Sequence, residues 1–294
     1  MEIFTMKKTV KAFGKINLSL EITGILPNGY HSLKTVMQSI SLYNRITVEK
    51  NSSCIITLSS DDKSLPTDRK NTAFRAAELF LEAAELKSAG LDIYIDKNVP
   101  YQAGMGSASA DAAGVLAAAN SLFDDILPQN KLLDIAAKVG ADVPFCLIGG
   151  TALAEGIGEK LTALPALPDC GLLIYHPNKG ISTPEAYRRF DALTDPTQPD
   201  CSACAKAMES DSIKAVAESC GNVFELCCDI DDVFDIKTDL INAGALTACM
   251  TGSGTAVFGI FETAAKAEAA KAMILRPEWR SWTAQPVNCG IEIE

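Results

Sequence analysis

The stretch Val99-Pro100-Tyr101-Gln102-Ala103-Gly104-Met105-Gly106-Ser107-Ala108-Ser109-Ala110-Asp111-Ala112-Ala113-Gly114 constrains the fold of this chain more than any other. Just before it, Leu91-Asp92-Ile93-Tyr94-Ile95 alternates apolar and polar residues, the period of a half-buried strand. After it, helix-forming residues run without interruption to Leu122. The order is therefore strand, tight loop, helix N-terminus. Gly104 and Gly106 have no Cβ, so backbone N–H groups can close around a ligand there. The unpaired N–H groups and positive dipole end of the following helix favour an anion, and phosphate is the usual occupant of such a loop.

Taken alone, a Gly-x-Gly loop also describes an ordinary strand-to-helix turn. Two phosphate-binding motifs are excluded. No Gly-Lys-Ser/Thr follows, so the loop is not a Walker P-loop, and it lacks the Gly-x-Gly-x-x-Gly spacing of a dinucleotide fold.

With 294 residues, the chain can form one large or two medium domains with substantial cores. Charged residues make up 21% and apolar ones 48%, the balance of a soluble globular protein. No apolar run approaches the ~20 residues that span a bilayer, so no membrane partner is expected. Met1-Glu2-Ile3-Phe4-Thr5-Met6-Lys7-Lys8 lacks an apolar core followed by a small-residue cleavage site, so the expectation is no signal peptide and a cytoplasmic protein. A formal charge of −11 argues against general nucleic-acid binding, yet a local loop can still hold a nucleotide's phosphates. Among the ten cysteines, Cys201-x-x-Cys204 and Cys227-Cys228 raise zinc or redox chemistry. Zinc needs a second ligand pair, and the only histidines are His31 and His176. The expectation is packed thiols in a reducing compartment and no protein metal site.

Along the chain, Ile16, Leu18, Leu20 and Ile22 alternate with Lys15, Asn17, Ser19 and Glu21, a strand with one apolar and one polar face. Further strands are expected at 39–49, 54–58, 91–96, 172–175 and 256–261. Asn71 reads as the N-cap of a helix over 72–85 and Asn130 as the cap of one ending near Val139. Other helices are expected at 184–193, 202–208, 210–219 and 264–275. Strands and helices without strict alternation indicate α+β layering. The loop-rich stretch 156–169 separates two domains, 1–160 and 161–294.

Four segments carry groups suited to chemistry. Lys15 and Asn17 share a strand face, either as a solvated edge or as a lysine and an amide converging on a hydroxyl. Tyr30 and His31 follow a Pro27-Asn28-Gly29 turn and are either surface decoration or a reader of a flat heterocycle. Asp142, in Val139-Gly140-Ala141-Asp142-Val143-Pro144-Phe145-Cys146, stands on a turn with a strand expected next. With no helix for it to cap, its carboxylate is a candidate general base. Met250-Thr251-Gly252-Ser253-Gly254-Thr255 is a second glycine-rich turn, able to meet the same ligand as the first.

The loop resembles the second motif of the GHMP kinases, Pro-x-x-x-Gly-Leu-Gly-Ser-Ser-Ala. Lys15-Ile16-Asn17-Leu18, Gly29-Tyr30-His31, Gly140-Ala141-Asp142-Val143-Pro144-Phe145 and Gly149-Gly150-Thr151-Ala152 extend the resemblance from about Val10 to Phe261, within the branch whose substrate carries a cytidine diphosphate. That resemblance implies a two-domain GHMP fold with ATP and substrate in the interdomain cleft. The implied reaction is ATP-dependent phosphorylation of the 2-hydroxyl of a cytidine diphosphate-linked methylerythritol, in the making of isoprenoid precursors. Asp142 matches the family's catalytic base and Lys15 the lysine beside it. Asn17, Tyr30 and His31 match residues holding the polyol and cytidine. Thr183 and Tyr187 match a threonine and an aromatic that sandwich the cytosine, although Thr183 before Pro184 also reads as an N-cap. Pro100, Ala103, Gly104, Met105, Gly106, Ser107, Ala108, Ser109 and Ala110 match the triphosphate site, and Asn71 and Lys97 positions near the adenine. Mg²⁺ would arrive with ATP, with Ser109 as its one suggested protein contact.

One departure stands out. The branch usually has Gly-Leu-Gly-Gly-Gly-Ser-Ser-Asp where this chain has Gly104-Met105-Gly106-Ser107-Ala108-Ser109-Ala110-Asp111. A lost glycine that needed φ > 0 would weaken ATP binding. Three alternatives remain: a GHMP kinase for homoserine or a mevalonate derivative, a catalytically silent nucleotide-binding regulator, and a metal or redox protein. A monomer and a homodimer are both compatible with the sequence.

Overall fold

In the computed structural model, which describes residues 6–27 and 29–294, the first half of the chain builds one mixed sheet under a layer of helices. Its long hairpin pairs β1 (Lys7–Ile25) with β2 (His31–Asn51). Next come β3 (Ile56–Ser60), α1 (Thr72–Ala83) and β4 (Gly90–Asp96). Helices α2 (Ser107–Leu122), α3 (Gln129–Val139) and α4 (Val143–Ile148) precede the strands β5 (Thr151–Gly156) and β6 (Lys160–Ala163). The order β12-β1-β2-β4-β3, with β12 the C-terminal strand Ile291–Ile293, describes the body of this sheet, with β5 added to β2 and β6 to β5. Residues 1–5 and Asn28 lie outside the described residues, and with them most of the expected leaderless N-terminus and the centre of the Pro27-Asn28-Gly29 turn.

The second half contributes β7 (Gly171–His176), α5 (Thr183–Phe190), α6 (Cys201–Ala207), α7 (Ile213–Glu218) and β8 (Gly221–Asn222). Helix α8 (Asp231–Asn242), β9 (Thr247–Met250), β10 (Val257–Phe261), α9 (Ala264–Met273), β11 (Arg280–Ala284) and β12 (Ile291–Ile293) complete the described strands and α-helices, and short 3-10 turns cover Met208–Ser210 and Val223–Cys227. An antiparallel sheet, β11-β7-β10-β9, forms the second layer. Two short strands tie the halves together, because β8 and β12 both pair with β1 of the first sheet. The first sheet continues through β6 to Ala163, just past the division expected at residue 160.

Helix α2 is buried on nearly all sides, which its sequence explains. A Cβ on Gly114 would lie 2.7 Å from Ile46 Cγ1 and 3.1 Å from Ala12 Cβ, so the alanines and this glycine let α2 lie directly on β1 and β2. Asn71 caps α1 as expected, accepting from the Ala73 N–H. The cap of α3 is Pro128 rather than Asn130, and Asn130 lies inside the helix. Of the two readings of the polar face of β1, a solvated edge is excluded: Lys15, Asn17 and Ser19 are all buried. Burying a lysine is costly without partners, and Lys15 has them in Asn17 and Asp142. Register shifts between Phe13 and Lys15 and between Asn17 and Ser19 bracket the two side chains, the usual way a strand re-aims a residue.

Candidate active site

A cleft of about 490 Å³ opens between the two halves, lined by Lys15, Asn17, Asp142, the segment Pro100–Ser109, Thr183, Tyr187 and the turn at Gly252–Ser253. The glycine loop forms its floor. Gly104 has φ 76° and Gly106 φ 67°, the left-handed region where a side chain is strained, and Gly106 is the residue before α2. The backbone N–H of Lys15 donates to Met105 O at 3.1 Å, fastening β1 to the loop. Ser107 and Ala108, which replace the branch's usual glycines, lie inside α2 with helical backbone, so their positions do not require glycine.

Lys15 Nζ stands 3.5 Å from Asp142 Oδ2 and donates to Asn17 Oδ1 at 2.7 Å. Among the described residues lining the cleft, Lys15 is the one cation and Asp142 the one carboxylate. The expectation of a strand after Asp142 is corrected here, because Pro144 falls in the first turn of a helix and α4 begins at Val143. Asp142 occupies the cap position of that helix but makes no cap hydrogen bond. Its carboxylate is instead a third exposed and faces Lys15 across the cleft.

The Asn17 side chain lines the cleft and is engaged by partners within the protein. Its Oδ1 accepts from Lys15 Nζ, from the Gly252 N–H at 3.0 Å and from Thr251 Oγ1 at 3.3 Å, while Nδ2 donates to Thr35 Oγ1 at 2.8 Å. The amide is thereby a hub joining the lysine to the second glycine-rich turn. Sequence reasoning missed Asn222, which holds that turn from the other side by donating to Met250 O and Gly252 O at 2.8 and 2.9 Å. No motif surrounds it, so only the fold reveals it.

At the far end, Ser182 rather than Thr183 caps α5, accepting from the Glu185 N–H. Thr183 is released for the cleft, with its hydroxyl 3.2 Å from Ser253 Oγ. The rings of Tyr187 and His31 stack with centroids 4.5 Å apart, and Phe224, another residue with no signal in the sequence, meets Tyr187 edge-on. His31 Nε2 is 2.7 Å from Asp191 Oδ1. Burial, helped by the Asp142 charge, pushes the Tyr187 phenol up to about 12, so it stays a neutral hydroxyl at physiological pH. Tyr30 is exposed, and neither it nor His31 lines the cleft.

Asn71 and Lys97 do not line the cleft either. The Asn71 side chain caps α1 and donates to Pro66 O, and Lys97 Nζ pairs with buried Asp111 at 2.7 Å. Among the described residues no three His, Cys, Asp or Glu side chains gather as a metal group. All ten cysteines are free; burial pushes the Cys201 thiol up to about 12, and it hydrogen-bonds Ser19 and Lys34 O inside the protein. No described helix is long and apolar enough to cross a membrane.

Models of known families match both halves, GHMP kinases N terminal domain over residues 71–150 and GHMP kinases C terminal over 209–277. Homoserine kinase from Cytophaga hutchinsonii and L. major mevalonate kinase share the fold, with TM-scores of 0.74 and 0.75 at 19% and 15% identity. The class is therefore that of the GHMP kinases, ATP-dependent kinases of small molecules. Two curated relatives are more similar. One, the 4-diphosphocytidyl-2-C-methyl-D-erythritol kinase of Caldicellulosiruptor saccharolyticus, is 42% identical over 86% of this chain and 87% of its own. The other, from Acetivibrio thermocellus, is 37% identical over 95% and 99%. A crystal structure of 4-(cytidine 5'-diphospho)-2C-methyl-D-erythritol kinase superposes with TM-score 0.80 at 31% identity, covering 95% of this chain and 98% of that one. The chain belongs to the 4-diphosphocytidyl-2-C-methyl-D-erythritol kinase family.

Proposed function

We propose that this protein transfers the γ-phosphoryl group of ATP to the 2-hydroxyl of 4-diphosphocytidyl-2-C-methyl-D-erythritol, giving the 2-phosphate and ADP for isoprenoid precursor synthesis. The observation that carries this is the Lys15–Asp142 pair, held 3.5 Å apart in the same cleft as the glycine loop and the N-terminus of α2. Phosphoryl transfer asks mainly for in-line positioning and charge neutralisation. The free N–H groups at the start of α2 receive the β- and γ-phosphates. Asp142 takes the hydroxyl proton as the oxygen–phosphorus bond forms, and Lys15, 3.5 Å from that carboxylate, orients the hydroxyl.

A divalent cation fits this site only as a companion of ATP. Ser109 and Asp142 both line the cleft, whereas Asp111 is buried against Lys97 and Asn44 and does not line it. When bound, Mg²⁺ neutralises the phosphate oxygens. The same reading has 1–160 carrying the nucleotide loop and 161–294 the base platform, in a cytoplasmic enzyme acting as a monomer or homodimer.

Tyr187 supplies the platform for cytosine. Tyr187→Ala is expected to raise KM for the cytidylyl substrate by an amount equivalent to ~1–3 kcal/mol, the worth of base–aromatic stacking, with little change in KM for ATP. Equal losses for both substrates in steady-state assays would count against a cytosine platform. The reaction itself is tested by coupled ADP release with the cytidylyl alcohol, homoserine and mevalonate side by side. Turnover of the first is expected; turnover of only one of the others would reject the substrate assignment while keeping the kinase.

A further inference from the structure

The two ends of the glycine loop are fastened by one buried network, of which Ser107 borders the cleft while Lys97, Asp111 and Asn44 do not line it. Lys97 Nζ donates to Asp111 Oδ2 at 2.7 Å and to Ser107 Oγ at 2.6 Å, and the Ser107 hydroxyl donates its own proton to Val99 O at 2.8 Å. Asn44 completes the set: its Nδ2 donates to Asp111 Oδ1 at 2.7 Å, and its Oδ1 accepts from the N–H groups of Asn98 and Val99 at 2.9 and 2.8 Å. Asn98 and Val99 enter the loop, whereas Ser107 and Asp111 sit on the first turns of α2 where it leaves. Both Ser107 and Asp111 are at most 5% exposed, so these bonds form away from competing water.

Ser107 and Asn44 each touch both ends, and of the two Ser107 is the one that itself sits at the start of α2, where the branch usually has a glycine, which has no hydroxyl. We propose that Ser107 is a positioning residue whose hydroxyl buckles the entry of the nucleotide loop to the start of α2, holding the N–H groups in the arrangement that phosphate requires. A phosphate site made of backbone donors loses affinity when those donors must be ordered on binding, and fixing them beforehand removes that cost. Lys97 and Asp111 take part in the same buckle.

This inference rests on the reading that the loop holds ATP, and the test separates the two. Ser107→Ala removes the acceptor for Lys97 and the donor to Val99 O, yet keeps a helix-forming residue and leaves Asp111 paired with Lys97, so no buried charge is stranded. KM for ATP is expected to rise about five- to tenfold while KM for the alcohol substrate moves less than about twofold, in line with loss of a charge-assisted hydrogen bond. Ser107→Thr, which restores a hydroxyl, is expected to recover most of the loss. Titration calorimetry with a non-hydrolysable ATP analogue is expected to show the same order of affinities. Unchanged ATP affinity in Ser107→Ala overturns the buckle, as does a parallel rise in both KM values with a lower Tm. A parent chain that binds no nucleotide overturns the buckle together with the loop's assignment, so the two failures are told apart by the parent's own titration.

Discussion

Asp142→Asn is expected to lower kcat by ~10²–10⁴, the usual worth of a positioned general base. The fold should survive the change. Asp142 is a third exposed and makes no cap hydrogen bond to α4, so the amide breaks no internal bond of the helix. Binding of both substrates should survive too, because the nucleotide loop and Tyr187 are supplied by other segments. Lys15→Met is also expected to slow turnover. The double variant should lose less than the sum of the two, since Lys15 Nζ and the Asp142 carboxylate act as one unit. Single-turnover kinetics on folded protein provides the check. Near-parental turnover by Asp142→Asn would remove the carboxylate from proton transfer and leave it a positioning group for a loose transition state.

The second large effect is expected at Gly106. Its φ of 67° costs an L-residue roughly 1–2 kcal/mol, and more for a β-branched one. The direction of the missing side chain is more telling: a Cβ there would sit 2.9 Å from Lys15 Cγ and 3.2 Å from Lys15 Cε. Gly106→Val therefore pushes on Lys15, the proposed partner of Asp142, as well as on the glycine loop. A fall in kcat/KM of ~10²-fold or more is expected, since displacement of a positioned group by about 1 Å can cost that much. KM for ATP should rise and kcat should fall together. Unchanged ATP kinetics in a folded Gly106→Val protein would reduce the loop to a plain turn.

How much of this was legible before the structure differs from residue to residue. The loop, α2 and the alternating strands are written in local periodicity, which a sequence carries openly. Asn71 as a cap is legible for the same reason, because capping is decided within four residues. Asp142 shows the opposite case. Pro144 suggests a break when read locally, yet proline is well placed in a helix's first turn, and the short α4 that results is stabilised by its burial against α2 and α3. Helix α8 shows its apolar spacing at Val233, Ile236 and Leu240 and an acidic first turn, a signal that was present and passed over. Strands β9 and β11 are short, and their pairing with β10 and β7 is set by partners distant in sequence. Among site residues, Lys15 and Asp142 announce themselves as charged groups in patterned segments. Asn222 and Phe224 reach the site only because β8 pairs with β1.

The meeting of the two glycine-rich turns limits how this chain can drift under mutation. A Cβ on Gly104 would lie 2.0 Å from the carbonyl oxygen of Thr251, and one on Gly252 would lie 2.8 Å from Gly104 Cα. In an ordinary core, an enlarged residue is accommodated when a neighbouring side chain is trimmed, so pairs of positions can exchange volume through viable intermediates. Here the obstructing atoms are main chain, which no second substitution can make smaller. A side chain gained at either turn has no compensating partner and is relieved only by reversion or by moving the turn itself. Gly106 is bound in a different way, since its obstacle is the stem of Lys15, a side chain that could be trimmed only at the expense of the chemistry. Both halves of the chain are thus held to glycine by each other, and divergence of one sheet's connecting turns is tied to the other's.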